Sequence, residues 1–192
     1  MQNNRRAIRL KDYDYSRAGY YFVTVCVNNR ELSLGEIKND CRGTACCAPN
    51  KYGKIVYDEW INTGKFRKNV ELDEFIVMPN HFHGIVVINE SGMVSGTARR
   101  APTQGFGKPV AGSLSTIMRS FKSAVTKQIN ESRNMPGAQF WQRNYYEHVI
   151  RDEDDLNRIR EYIVNNPAKW QEDEYYLDNY EGTARRAPTE RN

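Results

Sequence analysis

Apolar positions alternate with a period of two from Tyr20 to Val27, a β-branched and aromatic run bounded by Gly19 and by Asn28-Asn29, and this predicts a first strand. Leu32 to Ile37 offers it a short hairpin partner, and residues 39–50 read as loop. Between Tyr52 and Phe66 the period changes: Ile55, Val56, Trp60 and Ile61 fall at helical spacing. Glu71 to Val77 reads as a second strand. The run from His81 to Ile88 follows after Pro79-Asn80, a turn so tight that the two strands should form an antiparallel hairpin. Residues 90–112 are rich in Gly, Ser, Pro and Thr, which marks a surface loop or an insertion. From Ser113 to Asn130, Leu114, Ile117, Met118, Phe121, Val125 and Ile129 form one stripe with Arg119, Lys122 and Lys127 off it, an amphipathic helix with a basic outer side. Tyr146 to Ile150 makes a last strand. Asp152 then offers an N-cap, Glu153-Asp154-Asp155 suits the positive end of a helix dipole, and a helix through Leu156, Ile159, Tyr162 and Ile163 must end before Pro167.

The order strand, helix, strand, strand, helix, strand is ferredoxin-like. It predicts an α+β fold (βαββαβ), an antiparallel sheet with helices on one side, and an appended C-terminal helix. A chain of 192 residues suits one domain, expected over 1–181, with 182–192 as a tail. Hydrophobic content of 39% and charged content of 27% are those of a water-soluble protein. No apolar run reaches the ~20 residues of a membrane span, and Met1 to Arg9 is polar and basic, so the expected location is the cytoplasm. The net charge is only +4, but Arg5, Arg6, Arg9 and Lys11 cluster, as do Lys65, Arg67 and Lys68. Such clusters suit a polyanion as well as a solvated face. Of the cysteines, Cys26 belongs to an apolar strand, and the adjacent Cys46-Cys47 fits no common zinc spacing.

Candidate chemistry begins with His81-Phe82-His83. On a strand both imidazoles leave one face and Phe82 the other, which is half of a metal site, although two histidines on the open face of a sheet would show the same pattern. Only three histidines are present, and two are spent here. On the last helix Tyr162 and Asn166, four residues apart, share a face. A tyrosine hydroxyl with its ordinary pKa of about 10 is a poor nucleophile, but a metal that neutralises the attacked phosphate lets the phenolate attack. Two histidines, an amide and a tyrosine are thus sufficient to cut a phosphodiester covalently. By ligand type alone the metal would be zinc.

His81-Phe82-His83, Tyr13-Asp14-Tyr15-Ser16, Phe140-Trp141-Gln142-Arg143, His148-Val149-Ile150-Arg151 and Glu161 to Pro167 together resemble the single-tyrosine HUH transposases. They resemble in particular the subfamily associated with repetitive extragenic palindromes (REP). The resemblance implies a metal-dependent single-strand DNA endonuclease and strand transferase acting on hairpin DNA, with a 5′-phosphotyrosine intermediate. It implies Tyr162 as nucleophile, His81, His83 and Asn166 as metal ligands, and Mg²⁺ or Mn²⁺ as the metal. Better-known relatives carry glutamine where this chain has Asn166. Arg5, Arg6, Arg9, Arg119, Lys122, Lys127 and Arg143 are the expected phosphate contacts, and Phe140, Trp141 and Tyr145 the expected stacking faces for single-stranded or hairpin DNA. A monomer is expected, with a dimer as the alternative. Competing readings are a replication-initiator or relaxase-type nuclease and a non-catalytic nucleic-acid-binding protein of the same fold.

One feature lies outside this chemistry. Gly96-Thr97-Ala98-Arg99-Arg100-Ala101-Pro102-Thr103 recurs as Gly182 to Thr189, with Gly43-Thr44-Ala45-Cys46-Cys47-Ala48-Pro49 as a variant, all in expected loops or the tail. Gly-Thr-Ala-Arg-Arg-Ala can be written GGC ACG GCG CGC CGT GCC, and Gly-Thr-Ala-Cys-Cys-Ala as GGC ACA GCA TGC TGT GCC, each its own reverse complement. The segments are either palindromic DNA inserted in the gene or a basic loop motif duplicated for DNA contact.

Overall fold

The computed structural model describes residues 13–39, 45–90 and 110–176. Its strands are β1 (Gly19–Cys26), β2 (Gly35–Asn39), β3 (Ala45–Pro49), β4 (Val70–Val77), β5 (His81–Ile88) and β6 (Tyr146–Ile150). The helices are α1 (Lys51–Lys65), α2 (Leu114–Ser132) and α3 (Glu153–Asn165). Four strands form one antiparallel sheet in the order β4-β5-β1-β6. Chain order and sheet order together are the ferredoxin-like arrangement that the periodicity predicts.

β5 is central and all of its residues are buried. Alternation sends Phe82, Val86 and Ile88 into the larger core, with Tyr21, Val23 and Val25 of β1, Val56 and Trp60 of α1, and the apolar stripe of α2. The other face carries Phe22, Ile85 and Ile150, closed by Leu156, Ile159 and Ile163 of α3. Helices α1 and α2 therefore cover one face and the appended α3 the other. Gly84 is required by the first packing. A Cβ there would come within 2.7 Å of Trp60 Cζ2 and 2.8 Å of Phe82 Cζ.

Side-chain caps start the helices, at Asp152 as the sequence predicts. Asn50 caps α1 by accepting from Tyr52 N and Gly53 N, Ser113 caps α2, and Asp152 caps α3 by accepting from Asp155 N. Helix α3 is also held by a forked ion pair. Arg160 Nε and Nη2 donate to Asp73 Oδ1 and Oδ2 at 3.0 and 2.6 Å, and Asp73 sits at the irregularity between Leu72 and Phe75 in β4.

The expected hairpin between Leu32–Ile37 and the first strand does not form. Gly35–Asn39 pairs with Ala45–Pro49 instead, in a separate two-stranded sheet, so part of the expected 39–50 loop is strand. The cause is geometric. β1 has β5 on one side and β6 on the other, so neither of its edges is open to β2. Residues 91–109 of the expected loop or insertion, and the 182–192 tail, lie outside the described residues. Among the described residues no helix is long and apolar enough to cross a membrane.

Gly84→Ala is expected to destabilise the fold by about 1–3 kcal/mol through overpacking against two ring edges, read as a lower denaturation midpoint at unchanged slope. Asp73→Asn is expected to cost about 1 kcal/mol at neutral pH. Arg160 holds the Asp73 carboxyl below its ordinary pKa, so this contribution is present above the unfolded value and lost as pH falls through the folded one. The gap between wild type and Asp73→Asn should therefore close on acidification below the carboxylate range, and a gap independent of pH would refute the assignment.

Candidate metal and nucleophile centre

His81 and His83 leave the α3 face of β5 opposite Cys26 and Thr24 of β1, and both are buried. Their Nε2 atoms converge to 2.9 Å. Each Nδ1 points away to a partner of its own: Asn80 Oδ1 at 2.8 Å for His81 and Thr24 Oγ1 at 2.8 Å for His83. Asn80 decides one tautomer. Its Nδ2 donates to Arg30 O at 3.2 Å and Tyr175 O at 2.8 Å, so its Oδ1 faces His81 and can only accept. His81 therefore carries its proton on Nδ1 and presents a lone pair at Nε2. Two imidazole nitrogens at 2.9 Å must share a single proton or a single cation.

Burial lowers the pKa of both rings. His83 falls to about 3, and His81 is pushed well below its ordinary value by burial first, then by His83 and Arg30. Both are neutral near pH 7, the ligating form.

Tyr162 comes from α3. Its Oη lies 3.3 Å from His83 Nε2, its ring centroid 5.2 Å from that of His83, and 42% of the residue remains exposed. Burial, with Asp173 and Glu174 adding to it, raises its pKa. In the protein alone the hydroxyl keeps its proton.

Asn166, the C-cap of α3, is 3% exposed; its Nδ2 donates to Asp173 Oδ2 at 2.9 Å, while its Oδ1 is buried without a partner. After Pro167 the chain turns back through a 3-10 turn at Trp170–Glu172 and brings in Asp173. One ligand atom each from His81, His83 and Asp173 lie within 4.8 Å of one another, a set that could hold a metal ion. Burial raises the pKa of Asp173, against hydrogen bonds from Tyr175 N and Asn166 that lower it. The orphaned Asn166 Oδ1 and the converging lone pairs both fit a cation. Sequence reasoning missed Asp173. Its only signal was the acidic run Glu172-Asp173-Glu174, which looks like any solvated stretch of charge.

The centre opens on a groove of about 1050 Å³ bordered by Phe22, His83, Tyr162, Asn166, Asp173 and Tyr175. The expected DNA contacts lie elsewhere. Arg119 and Lys127 are exposed on α2, across the sheet from Tyr162. Lys122, Lys127, Trp141 and Arg143 line a second groove of about 1100 Å³. Three of these residues are held by the protein itself. Trp141 is only 4% exposed and packs its ring against Phe140 and Phe121, so it offers no open face to a base, and Phe140 is likewise buried. Lys122 Nζ donates to Gln142 O, Arg143 O and Asn144 O at 2.7–3.2 Å, and so braces the chain entering β6 instead of waiting for a phosphate. Burial lowers its pKa to about 8, which leaves it charged at neutral pH. Arg5, Arg6 and Arg9 lie outside the described residues.

No family model matches the sequence. The chain belongs to one family with an uncharacterized protein of Haemophilus influenzae, 39% identical over 178 residues that span 92% of this chain and 95% of that protein. A solved REP-associated tyrosine transposase bound to a REP hairpin superposes with a TM-score of 0.52 at 20% identity, over 84% of this chain and 74% of that one. The two folds are similar. A candidate transposase from Deinococcus radiodurans, at 17% identity and a TM-score of 0.38 over 82% of this chain and 95% of that one, is too distant to add to the argument. In this fold the two histidines occupy a central strand, and the tyrosine rides on the helix that closes the same face.

Asn80→Ala is expected to weaken Mn²⁺ binding about 10–100-fold, read by titration calorimetry, because it frees the ring of His81. Without metal, the ¹⁵N shifts of the His81 imidazole should move toward the Nε2-protonated form. Unchanged affinity and unchanged shifts would show that Asn80 does not orient the ring.

Proposed function

We propose that this protein is a transposase: a metal-dependent single-strand DNA endonuclease and strand transferase that acts on hairpin DNA. The observation that carries the reading is the approach of Tyr162 Oη to 3.3 Å from His83 Nε2, inside a groove that also holds Asp173 and the unpartnered Asn166 oxygen. The similarity to a transposase structure that contains a REP hairpin supports the DNA substrate.

In this reading His81, His83 and Asp173 hold Mg²⁺ or Mn²⁺, with Asn166 Oδ1 as a further oxygen donor. When bound, the cation supplies positive charge that draws density from a phosphate and favours the phenolate over the phenol. Tyr162 Oη attacks the phosphorus, the new O–P bond forms, and the bond from phosphorus to the 3′ oxygen breaks. The phenol proton passes to water in the open groove, and the departing 3′ oxygen takes one up. The 5′ phosphate stays on Tyr162 as a diester, so a second 3′-hydroxyl can reverse the step without an external energy source. Phe22, stacked on His83 at 5.4 Å and set edge-on to Tyr162 at 6.1 Å, packs against both the ligand ring and the nucleophile.

The test is denaturing electrophoresis of the full chain with single-stranded hairpin oligonucleotides, with Mn²⁺ or with EDTA. Wild type should give a covalent protein–DNA band that needs metal. Tyr162→Phe should give none while still binding the hairpin, and Asp173→Asn should weaken Mn²⁺ binding and the band together. A band that persists in Tyr162→Phe would transfer the nucleophile to another residue. Hairpin binding with no band under any condition would favour a non-catalytic binding protein.

A further inference from the structure

In chain order the repeated Gly-Thr-Ala segments stand between the core elements or after them. One lies between β1 and α1, one between β5 and α2, and one after α3. Of the three, only residues 45–49 are among the described residues, and they lie outside the four-stranded sheet and the helices. Most of the variant copy is described: Ala45–Pro49 forms β3 of the small two-stranded ribbon, with Cys46 exposed and Cys47 Sγ donating to Met78 Sδ at 3.4 Å. The expectation of a loop there is corrected, but the ribbon is still an excursion from the sheet. Connections of this kind are where a chain accepts foreign residues without loss of core.

The amino-acid changes between copies argue against a role in the protein. Arg99-Arg100 and Arg185-Arg186 become Cys46-Cys47, which replaces two guanidinium groups by two thiols. A basic motif kept for phosphate contact would not survive that exchange. A palindrome would. If the six codons pair with one another, Gly must pair with Ala, the position opposite Thr must read NGT, and the position opposite the first Ala must read NGC. Such codons encode only Arg, Cys, Gly or Ser. The genetic code then leaves one sequence for each segment, GGCACGGCGCGCCGTGCC for Gly96–Ala101 and GGCACAGCATGCTGTGCC for Gly43–Ala48. The nucleotides that differ between them fall as two compensated G·C to A·T exchanges. In the variant copy Arg42 and Pro49 extend the pairing by one codon (CGG with CCG), whereas Ser95 and Glu181 end it in the other two.

We propose that these segments are palindromic DNA elements carried in the gene, and that hairpins of this sequence class are the substrate of the Tyr162 groove. This rests on the transposase reading above and names the DNA it acts on. The peptides are then by-products of translation through the elements, tolerated because they enter connections of the fold.

The coding DNA is the first test: the two sequences written above are expected, and codons that fail to pair within the segments overturn the proposal. The second is binding and cleavage by the full-length protein with Mn²⁺. Probes are single-stranded oligonucleotides bearing each palindrome with its flanks from the gene, a scrambled oligonucleotide of the same composition, and a panel of unrelated hairpins. The palindromes should bind about tenfold or more tightly than the scrambled strand, a difference of about 1.4 kcal/mol. Disrupting one arm should abolish the preference, and restoring the complement on the other arm should recover it. If unrelated hairpins are cleaved and these are treated like scrambled DNA, the substrate class is wrong and the transposase reading stands. If no hairpin is bound or cleaved, both fall.

Discussion

Everything in this protein depends on the pairing of β5 between β4 and β1. A strand with hydrogen-bonded neighbours on both sides and a helix layer over each face can send nothing to solvent, and every residue of β5 is buried. Its alternation assigns two functions to one segment. Phe82 meets Trp60 at 4.6 Å and Phe121 at 5.4 Å on one side, while His81 and His83 meet each other and the α3 layer on the other. The histidines are therefore held by the same contacts that hold the core, and a slip of register by one residue would exchange them with Phe82.

Burying two imidazoles at a nitrogen separation of 2.9 Å is costly unless something is shared between them. The structure meets most of that cost around the rings, through Asn80 and Thr24 on the Nδ1 atoms and Phe22 stacked on His83. Asn80 also ties the centre to distant chain. Arg30, whose backbone is left-handed at φ 56°, offers its carbonyl to Asn80, donates from its side chain to Glu174 O and lies over the Tyr175 ring. The turn that carries Asp173 is thereby fastened to residues far earlier in the chain. Positive φ at both Asn29 and Arg30 is the strain this fastening holds in place.

The two faces of the sheet carry different chemistry. The centre is built of neutral imidazoles, an amide, a phenol and an acid whose pKa burial raises, and it stands ready for a cation. Exposed basic residues lie on both sides, Arg119 and Lys127 on α2 and Arg158 and Lys169 around the Tyr162 groove. A bound polyanion would have to reach around an edge of the sheet to touch both. The Gly-Thr-Ala segments stand in chain order between the core elements or after them, where connections tolerate sequence change best.

The sequence by itself determined the order of the core elements, the helix cap at Asp152, the common face of His81 and His83, and the pairing of Tyr162 with Asn166 along one helix. All of these follow from periods of 2 and 3.6 and from short-range capping, which need no knowledge of distant residues. Only the tertiary structure decided the rest. That β2 pairs with β3 follows from β1 already having both edges filled, which no local pattern records. That Trp141 is core and Lys122 a brace follows from the three-dimensional meeting of α2 with residues 140–144. That Asp173 joins the histidines follows from the turn after Pro167, clamped by Arg30 and Asn80, and a contact made across more than a hundred residues of chain leaves no trace in local spacing.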